Sequence, residues 1–314
     1  MKWQRPLMAY LKMKASKIGE LKAHSASLYA IEKGREPNTI FSAGADKVVA
    51  EWNLNTQETN PFAIRTESTV YSLCNLGEQL AIGTLAGNIH VIDLLAKTEV
   101  KNLKLHTKGV FYLKKHPIQP WLYACGGDGK VSIWNTETWD LLWEITFSSA
   151  KLRRIAFDQE GNLAAIACGD GSLKIIETFK QRVLYDIDAH AESSNSVVFL
   201  PNGNLVSGGK DALLKIWNRS DGFSLLKTIP AHNFAIYDLV LSPNKAILAS
   251  VSRDKTIKLW DANNIETPIR LDRAKNQAHL NSVNAAIWLN DENILATCSD
   301  DRTVMLWKVK QNVN

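Results

Sequence analysis

"SRDKTIKLWDANN", residues 252–264, decides how the whole chain is read. Taken alone it looks like a charged loop running into reactive groups, with Asp254 an obvious candidate for acid–base chemistry. The stretch recurs, however. "AGADKVVAEW" (43–52), "CGGDGKVSIW" (125–134), "SGGKDALLKIW" (207–217), "SVSRDKTIKLW" (250–260) and "TCSDDRTVMLW" (297–307) share one pattern. In each, small residues precede an aspartate, an alternating β-rich run follows, and a tryptophan comes six residues after the aspartate. Two weaker copies, "AIGTLAGNIHVID" (81–93) and "ACGDGSLKIIE" (167–177), carry Ile92 and Ile176 in the tryptophan's place. The seven positions 52, 92, 134, 176, 217, 260 and 307 are 40, 42, 42, 41, 43 and 47 residues apart. Self-similarity at that period marks an array of one supersecondary unit.

A histidine travels with the pattern. His24, His106, His190, His232 and His279 each precede their repeat's aspartate by 21 or 22 residues, accounting for five of the chain's seven histidines. A catalytic histidine has no need of five copies at fixed spacing. Each unit reads as four short strands; in the sixth the pattern predicts strands over 236–241, 247–252, 256–260 and 267–271, separated by the turn signals "SPNK" and "SRDK". "AILASVS" is apolar on both faces, as a strand buried between two sheets must be.

Composition narrows the function classes. The 314 residues are 45% hydrophobic, enough for one large core or two ordinary ones. Cys74, Cys125, Cys168 and Cys298 are far apart with no CxxC pair, so buried reduced thiols are expected rather than a disulfide framework or a metal site. No apolar run reaches the roughly 18 to 20 residues that span a membrane. The apolar stretch from Leu7 to Leu11 is too short for a signal peptide's core, and a cytoplasmic protein is expected. The net charge of +5 is localised: residues 1–22 hold six basic side chains against Glu20, and the remaining 31 basic and 31 acidic residues cancel. A body without excess positive charge lacks the footprint of general nucleic-acid binding.

With these repeats on the page, the chain resembles the WD-repeat (WD40) family over about residues 16–310. The resemblance implies an all-β fold, a seven-bladed propeller of four-stranded antiparallel blades. It also implies a structural tetrad in each blade, in which histidine, a second-strand serine or threonine, aspartate and tryptophan hydrogen-bond together. The match is complete for His24, Ser42, Asp46 and Trp52, and for His190, Ser207, Asp211 and Trp217. It is also complete for His232, Ser250, Asp254 and Trp260, and for His279, Thr297, Asp301 and Trp307. Blade three keeps His106, Asp128 and Trp134 but has Ala124 at the serine position. Blade two has Thr66, Ala86 and Ile92, and blade four Ser148, Asp170 and Ile176. The physical logic agrees: a buried carboxylate needs donors around it, and imidazole, hydroxyl and indole groups supply them.

Three organisational expectations follow. Residues 1–15 form a basic leader, 16–310 the propeller and 311–314 a tail. The seventh repeat ends soon after Trp307, so residues from about Ser16 to Lys22 should supply its outer strand and remove the open edge. Trp121, Trp139 and Trp143 form a separate group, expected to lie on the bottom side of blade three and to pack together as local core or form a second interface.

Catalysis fits poorly. His/Asp/Ser sets in four blades would demand four equivalent active sites, and no GxSxG elbow accompanies them. "GGDGK" at 126–130 lacks the full GxxxxGK[ST] and reads as a hairpin turn. First-strand segments such as "SVVFL" and "YDLVL" bring few carboxylates to a channel, Asp238 being the main one. No catalytic residue, cofactor or metal is assigned. The expected function is a scaffold that binds a protein partner's peptide or loop, as a monomeric propeller within a complex. The competing readings are a nucleic-acid reader using the leader and top-face cations, and a propeller enzyme acting at the channel mouth. In related propellers the residue five positions after the histidine site commonly faces partners; here these are Tyr29, Tyr71, Phe111, Arg153, Asn195, Tyr237 and Asn284. Residues just before the turn aspartates add Lys210, Arg253 and Asp300, and Lys151 lies near Arg153. An aromatic arc with cations to one side suits a peptide carrying apolar and acidic residues.

Overall fold

In a computed structural model that describes residues 12–289 and 293–312, the repeats become seven four-stranded antiparallel sheets. Within each of the first six the strands run in chain order from the inside of the ring outward, and neighbouring inner strands touch around the full circle, blade seven against blade one included. Blade six shows how far the pattern carries. Its strands are Ile236–Leu241, Ile247–Ser252, Ile257–Asp261 and Asn264–Leu271, so the first two match the expectation and the outer strand starts three residues early.

The core lies between blades. Ile236, Leu239, Leu248 and Trp260 of blade six pack on Val206, Leu214 and Ile216 of blade five. No blade can bury both its faces by itself, which is why the array must close. Trp52, Trp260 and Trp307 are among the largest fully buried side chains. All four cysteines are buried and free.

Each turn aspartate builds its own hairpin. Asp46, Asp128, Asp170, Asp211, Asp254 and Asp301 accept, through Oδ1, the backbone N–H two residues on. That Asx geometry sets the next residue left-handed: Lys47, Ala212, Lys255 and Arg302 have φ between 64° and 70°, and Gly129 and Gly171 take the position elsewhere. At Gly129 a side chain is also barred by space, since a Cβ would meet Ser148 O at 1.8 Å. "GGDGK" is therefore a hairpin turn. The longest repeat interval, 260 to 307, accommodates the short helix Arg273–Asn276, capped by Asp272 accepting from Lys275 N.

The ring closes where expected, with a longer strand. Lys12–Lys22 pairs antiparallel with Thr303–Asn312, from Lys22↔Thr303 to Lys12↔Asn312, with an irregularity between Lys17 and Gly19. The strand thus begins four residues before Ser16, so the expected boundary at residue 15 falls inside it, and the last strand extends past 310. Leu21, at 1% exposure, anchors the closing strand in the core between blades seven and one. The leader's residues 1–11 and the tail's last two lie outside the described residues.

Candidate interaction site at the channel mouth

The repeated polar residues form directional relays. In blade one His24 Nδ1 lies 2.7 Å from Asp46, His24 Nε2 2.8 Å from Ser42 Oγ, and Trp52 Nε1 donates to the same Oγ at 2.7 Å. Blade five repeats this with His190, Asp211, Ser207 and Trp217 at 2.8–2.9 Å. Blade six uses His232, Asp254, Ser250 and Trp260 at 2.8–3.0 Å, and blade seven His279, Asp301, Thr297 and Trp307 at 2.9–3.1 Å. A carboxylate only accepts, so Nδ1 carries the proton, and Nε2 of the neutral ring accepts from the hydroxyl that takes the indole N–H. Burial holds the His190 and His232 imidazoles below their usual pKa despite the pull of Asp211 and Asp254. Burial alone would raise Asp254 and Asp301; the bonds from His232 and His279 overcome it and lower both carboxyls. Ser42, Ser207 and Ser250 are 0% exposed and their oxygens are already engaged, so these hydroxyls have no route to a substrate.

Blade three corrects the expectation drawn from Ala124. Its hydroxyl comes from Ser132 on the third strand, which bonds His106 Nε2 and Trp134 Nε1, both at 2.9 Å. Ser132 is the direct cross-strand partner of Ala124, just as Ala50 is the partner of Ser42 in blade one. The serine and alanine have exchanged strands and the oxygen serves the same neighbours. Blade two builds a different network that the sequence reading missed: Thr84 and Asn88 donate to Glu67 Oε1, and His90 lies between Glu67 (2.8 Å) and Glu99 (2.7 Å). Its one sequence signal was a histidine out of phase with the other five. In blade four Ser148 donates to Asp170 at 2.5 Å.

Tyr29, Tyr71, Phe111, Arg153, Asn195, Tyr237 and Asn284 have a common structural cause. In all seven inner strands the ladder with the second strand slips by one residue at this position. A β-bulge leaves its extra residue unpaired and re-aims its side chain. All seven line the mouth of a channel of about 780 Å³. Tyr29 stacks on Tyr71 (centroids 5.1 Å apart), Tyr71 meets Phe111 at a tilt (5.0 Å), and Arg153 and Lys151 lie over Phe111 at 5.6 and 5.8 Å. The four aromatic rings are half-buried.

The rest of the expected face is more varied. Asn195 is only 8% exposed, and its Nδ2 donates to Ile236 O, the carbonyl just before Tyr237. Asn284 does the same to Leu28 O, just before Tyr29, and also donates to Asp300. These amides staple neighbouring inner strands and set the aromatic residues that follow. Lys210 is paired with Glu192, and Arg253 lies over the exposed Phe234.

Inside the channel Glu32, a carboxylate the sequence reading overlooked, joins Asp238. Asp238 is not free: Arg154 ion-pairs with it, Ser196 Oγ donates to it, and the N–H groups of Leu239 and Ala286 donate at 2.7 and 3.2 Å. Burial pushes the carboxyls of Asp238 and Glu32 up, against the pull of Arg154 and Lys114 respectively. Among the described residues no cluster of His, Cys, Asp or Glu could hold a metal ion. The tryptophan group divides: Trp139 is buried between blades two and three, whereas Trp121 packs edge-on against Trp143 (5.2 Å) and Phe179 on the other face of blade three.

Comparison with known proteins agrees with the geometry. The family model "WD domain, G-beta repeat" matches residues 97–135, 223–261 and 273–308, and the "Anaphase-promoting complex subunit 4 WD40 domain" model matches 123–203. The chain is 27% identical to the protein transport protein sec13 of Aspergillus fumigatus over 275 residues, covering 74% of this chain and 88% of the relative. It is 29% identical to the WD repeat and SOCS box-containing protein 1 of Mus musculus over 135 residues, 39% of this chain and 32% of that protein. Among the described residues no helix is long and apolar enough to cross a membrane.

Proposed function

We propose that this chain, a member of the WD-repeat family, is a non-catalytic scaffold that takes a peptide or loop of a protein partner on the top face of its propeller. The observation that carries this reading is the ring of bulges, which sets one extra inner-strand residue at the channel mouth in every blade. Rings that served only the wall would be fully covered; Tyr29, Tyr71, Phe111 and Tyr237 each stay partly exposed. Contiguous aromatic anchors are the chemistry that dominates protein interfaces. The channel carboxylate Asp238 is occupied by Arg154, which favours binding over general acid–base work. The propeller acts as a single copy within a larger assembly in the cytoplasm, and its charge-balanced body disfavours a nucleic-acid role.

The test is the triple substitution Tyr29→Ala, Tyr71→Ala and Tyr237→Ala, compared with wild type by affinity capture from the source cells and mass spectrometry. Proteins held by wild type should be lost while the melting curve stays close to wild type. Undiminished capture would refute the top-face assignment. Salt-dependent binding of random oligonucleotides would instead favour the nucleic-acid reading.

A further inference from the structure

The rim of the channel is unequal around its circumference. The position just before the hairpin turn's aspartate, or before Ala86 at the same place in blade two, is Ala45, Leu85, Lys210, Arg253 or Asp300 in five blades but glycine in blades three and four, Gly127 and Gly169. A Cβ at Gly127 would fall 2.7 Å from the Phe111 ring, and one at Gly169 2.9 Å from Lys151 Cγ. The two glycines therefore let the Phe111 ring and the Lys151 stem lie close against the rim. Arg153, like Lys151, lies against the Phe111 ring.

Among the described residues these cations lack an anion. Lys210 has Glu192, and deeper in the channel Arg154 has Asp238. Desolvation and then the like charges of Arg153 and Lys210 hold the Lys151 amine below the usual range. Arg153 Nε is buried without a hydrogen-bond partner. At the equivalent bulge of the next blade, Asn195 Oδ1 is buried and unpartnered as well, its Nδ2 being committed to Ile236 O. An orphaned donor and an orphaned acceptor thus stand at matching positions of adjacent blades. Native proteins leave few buried polar groups unmet, and such groups are costly unless a ligand completes them.

Resting on the top-face reading, we propose that the rim of blades three to five is an anion subsite for an extended peptide. An acidic side chain of the partner enters beside Lys151 and Arg153 over the Phe111 face, and a neighbouring peptide N–H donates to Asn195 Oδ1. A carboxylate matches the guanidinium's donors, and the low exposure of Arg153 makes the pairing stronger than one formed in open water. Asp300 and Asn284, on blade seven, give the other side of the mouth no comparable appetite for an anion. A lysine or arginine of the partner is repelled at blade four, although the aromatic row alone would welcome it.

The test is selection of a randomised display library of short linear peptides against the full chain and against Lys151→Gln/Arg153→Gln. Wild type should enrich Asp or Glu at one position; the double variant should lose that enrichment and keep the apolar preferences. Lys151→Gln alone, at an exposed site, should weaken the acidic preference without affecting folding. The winning peptide is then resynthesised with Gln, Lys or phosphoserine at the acidic position. Gln and Lys should bind wild type about tenfold more weakly or worse, the loss expected when a charge-assisted bond goes. Phosphoserine binding as tightly as the carboxylate or tighter supports the anion subsite and assigns its source to a phosphorylated side chain. Binding weaker than the carboxylate but tighter than Gln assigns it to Asp or Glu. An acidic preference retained by the double variant overturns the subsite. So does its absence among peptides that the Tyr29/Tyr71/Tyr237 alanine variant fails to bind, an outcome that leaves the top-face reading standing. If no selected peptide is sensitive to that triple variant, the top-face reading falls instead.

Discussion

Removing the hydroxyl of Ser132 tests whether the relay in blade three is the same device as in the other blades. Ser132 is 0% exposed, and its oxygen meets both His106 Nε2 and Trp134 Nε1 at 2.9 Å. Ser132→Ala leaves a buried acceptor and a buried donor without partners in a site too closed for water to replace them. At roughly 1 to 3 kcal/mol for each orphaned group, partly relieved by relaxation, the loss should be about 2 to 4 kcal/mol. Adding Ala124→Ser returns an oxygen from the directly opposed residue, the arrangement of Ser42 and Ala50 in blade one. The double variant should recover most of the loss, giving a coupling energy well above the scatter of additive pairs. Urea unfolding followed by tryptophan fluorescence supplies the numbers, with an unchanged m-value confirming that the transition itself is the same. A double variant as unstable as Ser132→Ala would refute the claim that the two strands offer equivalent sites for the hydroxyl.

Three further outcomes follow from the same geometry. His232→Ala should destabilise the fold by about 1 to 3 kcal/mol, because Asp254 loses its main donor, while partner capture at a permissive temperature survives; selective loss of capture at unchanged stability would contradict the structural role. Deleting residues 1–22 removes the Lys12–Lys22 ladder and buried Leu21 and exposes the edge of Thr303–Asn312, so the melting temperature should fall sharply; an unchanged value would contradict closure. On acidification, His190 and His232 have folded pKa values below the ordinary 6.5, so the unfolded chain binds protons first and stability falls as pH drops below that value. The depressed Asp128, Asp254 and Asp301 add to the loss below about pH 4, whereas the raised Glu32 and Asp238 take up protons more readily in the folded state and oppose it above that range. Urea midpoints that stay level or rise between pH 6.5 and 5 would contradict the neutral-histidine relay.

Much of the molecule was legible along the chain because its unit is local. A blade must pair four consecutive strands and cover both faces with its neighbours, so the same turn aspartate, small residues and tryptophan recur in sequence at the period of the structure. Strand Ile247–Ser252, the relays of blades one, five, six and seven, and the pairing of the two terminal segments were all visible for that reason. What the sequence could not show is whatever depends on distance across a ladder or across the channel. A serine can serve the relay from either of two opposed strands, so Ala124 looked like a loss until the register placed Ser132 opposite it. The bulge at Tyr29 and its six equivalents is a mismatch between two strands, and no single strand encodes it in its residue pattern. Arg154 finds Asp238 across the channel from a different blade, and the orphaned atoms of Arg153 and Asn195 are defined only by what lies within bonding reach. Periodicity along the chain specified the ring; closure of the ring in space, which brings distant inner strands to one axis, decided the chemistry at its mouth.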